Sequence, residues 1–312
     1  MKCLKIAIVM LAMGFATKAS AQYDVHFSHY YDMETSFNPA AAGKQTKLNI
    51  TAAYAMDLAG FEHNPQTAYA AADMPIVFLG GTHGVGAQFI NDKLGLFNHM
   101  RISAMYANKQ KLLGGVLSIG VQAGLLTEKF DGSKLDFEDS GDPAFATAEV
   151  NGNALDLNAG IYYTRKQFYL GLSAMHLTAP TVSLGERNEL NIERSFYATM
   201  GYDIKLRNPF VKIKTSVLGF TDLKAYRADV TARLVYTNDT KNFYGGVSYS
   251  PTNSVTVLFG MSFQNVNIGY SYECYTNGLN MGNGSHELFV GYEMDINLSK
   301  KGKNLHKSVR IL

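Results

Sequence analysis

The chain has 312 residues, 28 of them lysine or arginine and 26 aspartate or glutamate; Gly (29), Tyr (19) and Phe (18) are abundant and Trp is absent. Balanced charge gives no overall basic field for nucleic acid, and no apolar run beyond the first residues approaches the roughly 18 that a membrane helix needs. A helical membrane protein is thereby excluded, which leaves a secreted soluble protein or an outer-membrane barrel.

Residues 1–21 read as a secretory signal peptide. Lys2 and Lys5 form a basic start, Ile6 to Ala16 an apolar core, and Ala19-Ser20-Ala21 a small-residue cleavage site before Gln22. Its removal takes Lys2, Lys5 and Lys18 and no acid, so one excess acid remains. Cys3 departs as well. Cys274 is then alone, which excludes an internal disulfide and a cysteine-based metal site.

Residues 22–46 follow, with the stretch HFSHYYDMETSFNPAAAG from His26 to Gly43. Aromatic and polar residues mix there with no period of two or of 3.6. From there on the chain alternates. Leu117, Ile119, Val121, Ala123 and Leu125 share one parity; Ser118, Gly120, Gln122 and Gly124 share the other. The same holds for Val230, Ala232 and Leu234 against Asp229, Thr231 and Arg233, and for Leu288, Val290 and Tyr292 against Glu287, Gly291 and Glu293. A period of two gives each strand one face per parity, so these are half-buried antiparallel strands.

Strand signals predict about fourteen such elements, near 48–58, 65–76, 81–91, 98–108, 112–128, 152–164, 168–178, 193–206, 210–222, 226–237, 242–250, 254–263, 266–275 and 285–298. Prolines fall at strand ends or in loops, where a missing N–H costs no ladder bond, and Pro75 is expected to close a strand. No linker divides the chain. Residues 47–299 are one barrel domain and 300–312 a basic periplasmic tail carrying Lys300, Lys301, Lys303, Lys307 and Arg310.

A sandwich would alternate in the same way. Connection lengths separate the two folds. Even connections are short, such as 77–80, 109–111, 165–167 and 264–265; long ones, at 129–151, 179–192 and 276–284, are all odd. A meander with its long loops on one side is an outer-membrane barrel with short periplasmic turns. An even strand count puts both termini in the periplasm. Hydrocarbon supplies no water to unpaired N–H and C=O groups, so the sheet must close. The apolar parity then faces lipid and Arg227, Asp229, Arg233, Glu293 and Asp295 face the lumen. Tyr54, Tyr106, Tyr236, Tyr249 and Tyr275 are expected in interfacial girdles.

No chemistry stands out. His286-Glu287 opens like a zincin motif, but Val290 stands where the second histidine belongs. Gly80 to Gly86 is glycine-rich without the Lys-Ser/Thr of a phosphate loop. Asp136, Glu138, Asp139 and Asp142 crowd one loop without EF-hand spacing. Ser173 and His176 lie three apart on one predicted strand and so are expected on opposite faces, with no triad. No catalytic, cofactor-binding or metal site is assigned.

Read in order, a series of motifs resembles the PorP/SprF family of type IX secretion and gliding-motility outer-membrane proteins. They are Asp24-x-His26-Phe27-Ser28-His29-Tyr30; Phe37-Asn38-Pro39-Ala40 to Gly43; Pro65-Gln66-Thr67; Asp73-x-Pro75; Gly84-Val85-Gly86; Asn91-Asp92-x-x-Gly95; Asp156 to His176; Tyr244 to Pro251; Asn267 to Tyr272; Gly284 to Leu288; and Lys307 to Arg310. Glu273 and Ala41-Ala42 depart from that pattern. The resemblance implies protein export without catalysis or cofactors, in a Bacteroidetes-type outer membrane. It implies periplasmic and lipoprotein partners of the type IX machinery, outer-membrane lipids and, for some members, a cognate large surface adhesin. It also gives 22–46 a use as a short plug, in the lumen or across the periplasmic mouth. His26, Phe27, Tyr30, Tyr31 and Phe37 would make the contacts, and Asn38-Pro39 the turn into the barrel. The basic tail is a candidate dock for an acidic partner. A channel for a small or hydrophobic molecule, or an outer-membrane hydrolase, are the competing functions.

Overall fold

The computed structural model describes residues 23–132, 149–185, 188–251, 253–276 and 283–296. Its strands are β1 (Lys47–Met56), β2 (Gln66–Phe78), β3 (Gly81–Leu94), β4 (Phe97–Leu112), β5 (Gly115–Asp131), β6 (Glu149–Arg165), β7 (Phe168–Met175), β8 (Thr181–Leu184), β9 (Asn188–Asn191), β10 (Ser195–Lys205), β11 (Val211–Thr221), β12 (Tyr226–Asn238), β13 (Lys241–Ser250), β14 (Ser254–Phe263), β15 (Val266–Tyr275) and β16 (Ser285–Asp295). All but β8 and β9 form one closed antiparallel barrel of fourteen strands. Closure is made by β1, which pairs with β2 on one side and β16 on the other; Ala53 lies between Tyr69 and Phe289. No described helix is long and apolar enough to cross a membrane.

The two parities divide as alternation requires. Ile102, Ile119, Val121, Leu155, Leu157 and Leu234 stand exposed on the outer wall. Gln122, Asp156, Asn158, Asp229, Thr231 and Glu287 are buried inside. Such an apolar exterior suits lipid, and closure leaves no sheet edge to desolvate.

Two-residue turns at 79–80, 113–114, 166–167, 239–240 and 264–265 gather at one rim, and the long connections at the other. Within the 176–194 connection, where the sequence predicts a loop over 179–192, β8 and β9 form a separate hairpin. Each is only four residues long, too short to show a period. Val182, Leu184 and Ile192 fold inward and pack on Leu126 of the lumenal wall, under the long-connection mouth.

Three local expectations need correction. Pro75 lies inside β2, opposite Gly84, and does not end it. The ladder with β1 stops at Asp73, so Pro75 has no partner there to disappoint. Tyr275 is on the lumenal parity and bonds Ser285 Oγ at 2.7 Å; it is not in the outer girdle. His176 follows the end of β7 with a left-handed φ of 54°. That breaks the alternation and turns its ring inward, onto the same side as Ser173.

Candidate functional site

The lumen is occupied by the chain's own amino-terminal segment. Tyr23 sits at the long-connection mouth, against His99 and His176. The segment then runs the length of the barrel through two single 3-10 turns, Glu34–Ser36 and Pro39–Ala41. It leaves beside Gly80 and Gly81, where Lys44 and Thr46 line the short-turn mouth, and continues into β1.

Apolar packing fixes the segment along its length. Phe27 and Met33 sit on Ala53, Ala55, Tyr69, Ala71 and Phe289, where small residues of β1 and β2 leave room for them. Tyr30, Tyr31 and Phe37 join Tyr197, Leu218, Phe220 and Leu258 on the far wall. The lower turn fits a glycine cradle. A Cβ at Gly84 would lie 2.0 Å from Ala42 O, one at Gly120 2.3 Å from Ala40 N, and one at Gly160 2.2 Å from Asn38 Oδ1. Asn38 caps its own turn, its Oδ1 accepting from Ala40 N at 3.0 Å. Its Nδ2 donates to the Ile161 carbonyl at 3.1 Å. Pro39 supplies the fixed φ of a first helical position.

Polar contacts set the register of the segment against the wall. Tyr23 and His99 both bond the buried Glu128. Asp24 meets His176 Nε2 at 3.0 Å, Ser195 Oγ, and Arg101 at 3.8 Å. His26 Nε2 lies 2.9 Å from Asp229, which Arg227 also grips. Glu287 accepts from the backbone of Ser28 (2.7 Å) and His29 (3.0 Å) and meets His29 Nδ1 at 2.5 Å. Tyr31 lies under the Arg233 guanidinium at 3.1 Å. Glu34 takes Lys44 and the Tyr162 hydroxyl, and Gly43 N donates to Asp73 at 2.6 Å.

Burial works against the charge on Asp24, but His176 and Arg101 outweigh it and hold the carboxyl well below its usual range. Burial pushes the Tyr30 phenol up to about 12. Its hydroxyl lies 3.0 Å from both Ser216 Oγ and Thr231 Oγ1. Buried charges of this kind persist only where they are paired.

The arrangement holds a segment in place. Ser173 Oγ donates to the Phe37 carbonyl at 2.6 Å, while His176 is taken by Asp24 and Asp156. His286 faces outward to Tyr270 and Tyr272, whereas Glu287 faces inward, so the two cannot share a metal. Among the described residues no group of three or more His, Cys, Asp or Glu is placed to hold a metal ion.

Of the residues singled out from sequence, His26, Phe27, Tyr30, Tyr31, Phe37, Asn38 and Pro39 come together in the lumen. Lys300, Lys301, Lys303, Lys307 and Arg310 lie outside the described residues, as do Asp136, Glu138, Asp139 and Asp142. The wall partners Glu128, Asp156, His176 and Glu287 were not singled out as contacts. Polar positions on the lumenal parity were the signal for most of them.

A family model described as type IX secretion system membrane protein PorP/SprF matches residues 19–292. The chain belongs to that family. No curated protein matches it. Among solved structures, the CymD monoaromatic hydrocarbon channel aligns at TM-score 0.50 and 11% identity, covering 90% of this chain and 96% of that one. The toluene transporter TbuX of Ralstonia pickettii aligns at 0.49 and 11%, with the same shares. CdiB from Acinetobacter baumannii aligns at 0.38 and 8%, covering 80% of this chain, which spans only 60% of CdiB. At such identities the likeness is one of fold. Membership in PorP/SprF makes the barrel a type IX secretion component of the outer membrane, associated with that machinery.

Proposed function

We propose that the chain is a non-enzymatic outer-membrane component of the type IX secretion and gliding machinery. It assists export or surface anchoring of secreted proteins, adhesins among them, by contact with periplasmic and outer-membrane partners. The observation that supports this most is the filled lumen. A conduit needs an open path, and here a covalently attached segment runs from mouth to mouth, bonded to β2, β4, β6, β11, β12 and β16. A cylinder filled along its length is suited to presenting surfaces.

In this reading residues 1–21 direct export, the apolar parity meets outer-membrane lipid and the short turns face the periplasm. The decisive variant lacks residues 22–43 behind an intact signal. Secretion of surface proteins is expected to fall and single-channel conductance to appear. Unchanged secretion together with an unchanged, silent barrel would overturn the reading.

A further inference from the structure

We propose that the short-turn rim between β2 and β7 is a docking site for an acidic, leucine-bearing segment of a partner protein. The proposal rests on the reading that this barrel works through partners, and it names the chemistry of one.

Two adjoining concavities mark the site. One, of about 580 Å³, is lined by Lys111, Leu112, Leu113, Val116, Arg165 and Lys166. The other, of about 630 Å³, is lined by Lys44, Lys109, Lys111, Gly81, Ser118 and Tyr162. They share Lys111, Val116 and Thr164, and among the described residues no carboxylate lines either. Lys44 is held by Glu34, and Lys109 donates to the Gly43 carbonyl at 2.6 Å. Lys111, Arg165 and Lys166 are exposed. None of the three has an ion pair within the described residues. Unneutralised like charges around a hollow favour a carboxylate-bearing occupant.

The turns flanking the hollow add an apolar element. Leu79 and Leu113 open two-residue turns with φ of 47° each, followed by Gly80 and Gly114. That position ordinarily goes to Asn, Asp or Gly, because a branched side chain crowds the left-handed backbone. Leu79 is nevertheless 88% exposed and Leu113 78% exposed. Nothing in the barrel is gained from strained, solvated leucines; a partner that covers them would make use of both. Lipid fits less well. The larger hollow opens on the inner side of the wall, beside the exit of the lumenal segment at Lys44 and Thr46, where a headgroup outside the barrel does not reach.

The test uses the full chain in detergent micelles and a fluorescent peptide of alternating Leu and Glu. Binding is read by anisotropy at low and high salt. The triple variant Lys111→Glu, Arg165→Glu, Lys166→Glu is expected to weaken binding at least about tenfold and to abolish its salt dependence. Leu79→Asn with Leu113→Asn suits the turns better than the native residues, yet is expected to weaken binding similarly. Lys93→Glu, at the opposite rim, should leave it unchanged. Heat-modifiable gel mobility verifies that each barrel is closed. Equal affinities throughout would overturn the proposal, as would tighter capture by phosphatidylglycerol vesicles than by the peptide. If the variants lose the peptide while client secretion is untouched, the docking site stands and the export reading falls.

Discussion

His176 Nε2 lies 3.0 Å from Asp24 Oδ1, joining residues 152 apart in sequence at the long-connection mouth. Nδ1 of the same ring meets Asp156 at 2.9 Å, so one imidazole ties the amino-terminal segment to the wall of β6. Burial disfavours the charged ring, but Asp24 and Asp156 outweigh it and raise its pKa from 6.5 to about 9. Its stabilising contribution is complete below 6.5 and is lost as pH rises through about 9. The Asp24 carboxyl is depressed from 3.8, so its contribution is complete above 3.8 and fades as pH falls below that. Unfolding midpoints are therefore expected to plateau between 3.8 and 6.5 and to decline on either side. Asp24→Asn should cost about 3 kcal/mol on the plateau and flatten both flanks relative to wild type. A variant whose pH profile parallels wild type would show that this pair does not anchor the segment.

The glycine cradle predicts a contrast that volume alone does not explain. Gly120→Ala and Gly160→Ala place a methyl 2.3 Å from Ala40 N and 2.2 Å from Asn38 Oδ1. Gly120 faces the backbone of Pro39-Ala40, and Gly160 faces an Asn38 amide held by its own bonds to Ala40 N and the Ile161 carbonyl, so each should cost about 1–3 kcal/mol and produce transient conductance as the turn is displaced. Gly245→Ala has nothing within 4 Å of the new carbon and should stay within about 0.5 kcal/mol of wild type. Planar-bilayer recording with urea unfolding separates the cases.

Strand parity made the barrel readable. From Leu117 to Leu125, and from Val230 to Leu234, alternation identified lipid and lumen faces, and connection lengths identified the rims. Other features are decided by tertiary context. The hairpin of Thr181–Leu184 and Asn188–Asn191 is too short to carry a period and is held by Leu126. His176 turned inward because one left-handed residue ends the strand's bookkeeping of faces. The aperiodic aromatics between Phe27 and Phe37 did signal burial without a strand. Their path did not show in the sequence, because it is set by alanines and glycines on different strands, among them β1, β2, β3, β5 and β6.

That path implies opposite exposures for two points close in sequence. Tyr23 lies at the long-connection mouth and Lys44 at the short-turn mouth. An epitope inserted ahead of Tyr23 and a cysteine at Lys166, in a Cys274→Ser background, should therefore report from opposite faces of the membrane. With short turns in the periplasm, antibody reaches the epitope on intact cells, while an impermeant maleimide reaches Lys166→Cys only after the outer membrane is breached. Both signals from one side would mean that the segment does not thread the barrel. Tyr23 and Asp295 lie at opposite rims.

Two carboxylates on β16 offer a final comparison, because they share a parity and differ in what they hold. Glu287 accepts from Ser28 N, His29 N and the His29 ring, all buried. Glu287→Ala strands those donors where water does not reach, so a loss of about 3 kcal/mol or more is expected. Glu293 pairs with Lys47 at 3.0 Å, where both side chains keep a quarter or more of their exposure. Solvent screening and side-chain entropy reduce such a pair to about 0–1 kcal/mol, so Glu293→Ala should barely move the midpoint. Glu287→Gln keeps an acceptor for the backbone but loses the charge facing His29, and should fall between the two. Equal losses at both positions would mean that the amino-terminal segment adds nothing to the stability of the wall, and that the barrel stands without its filling.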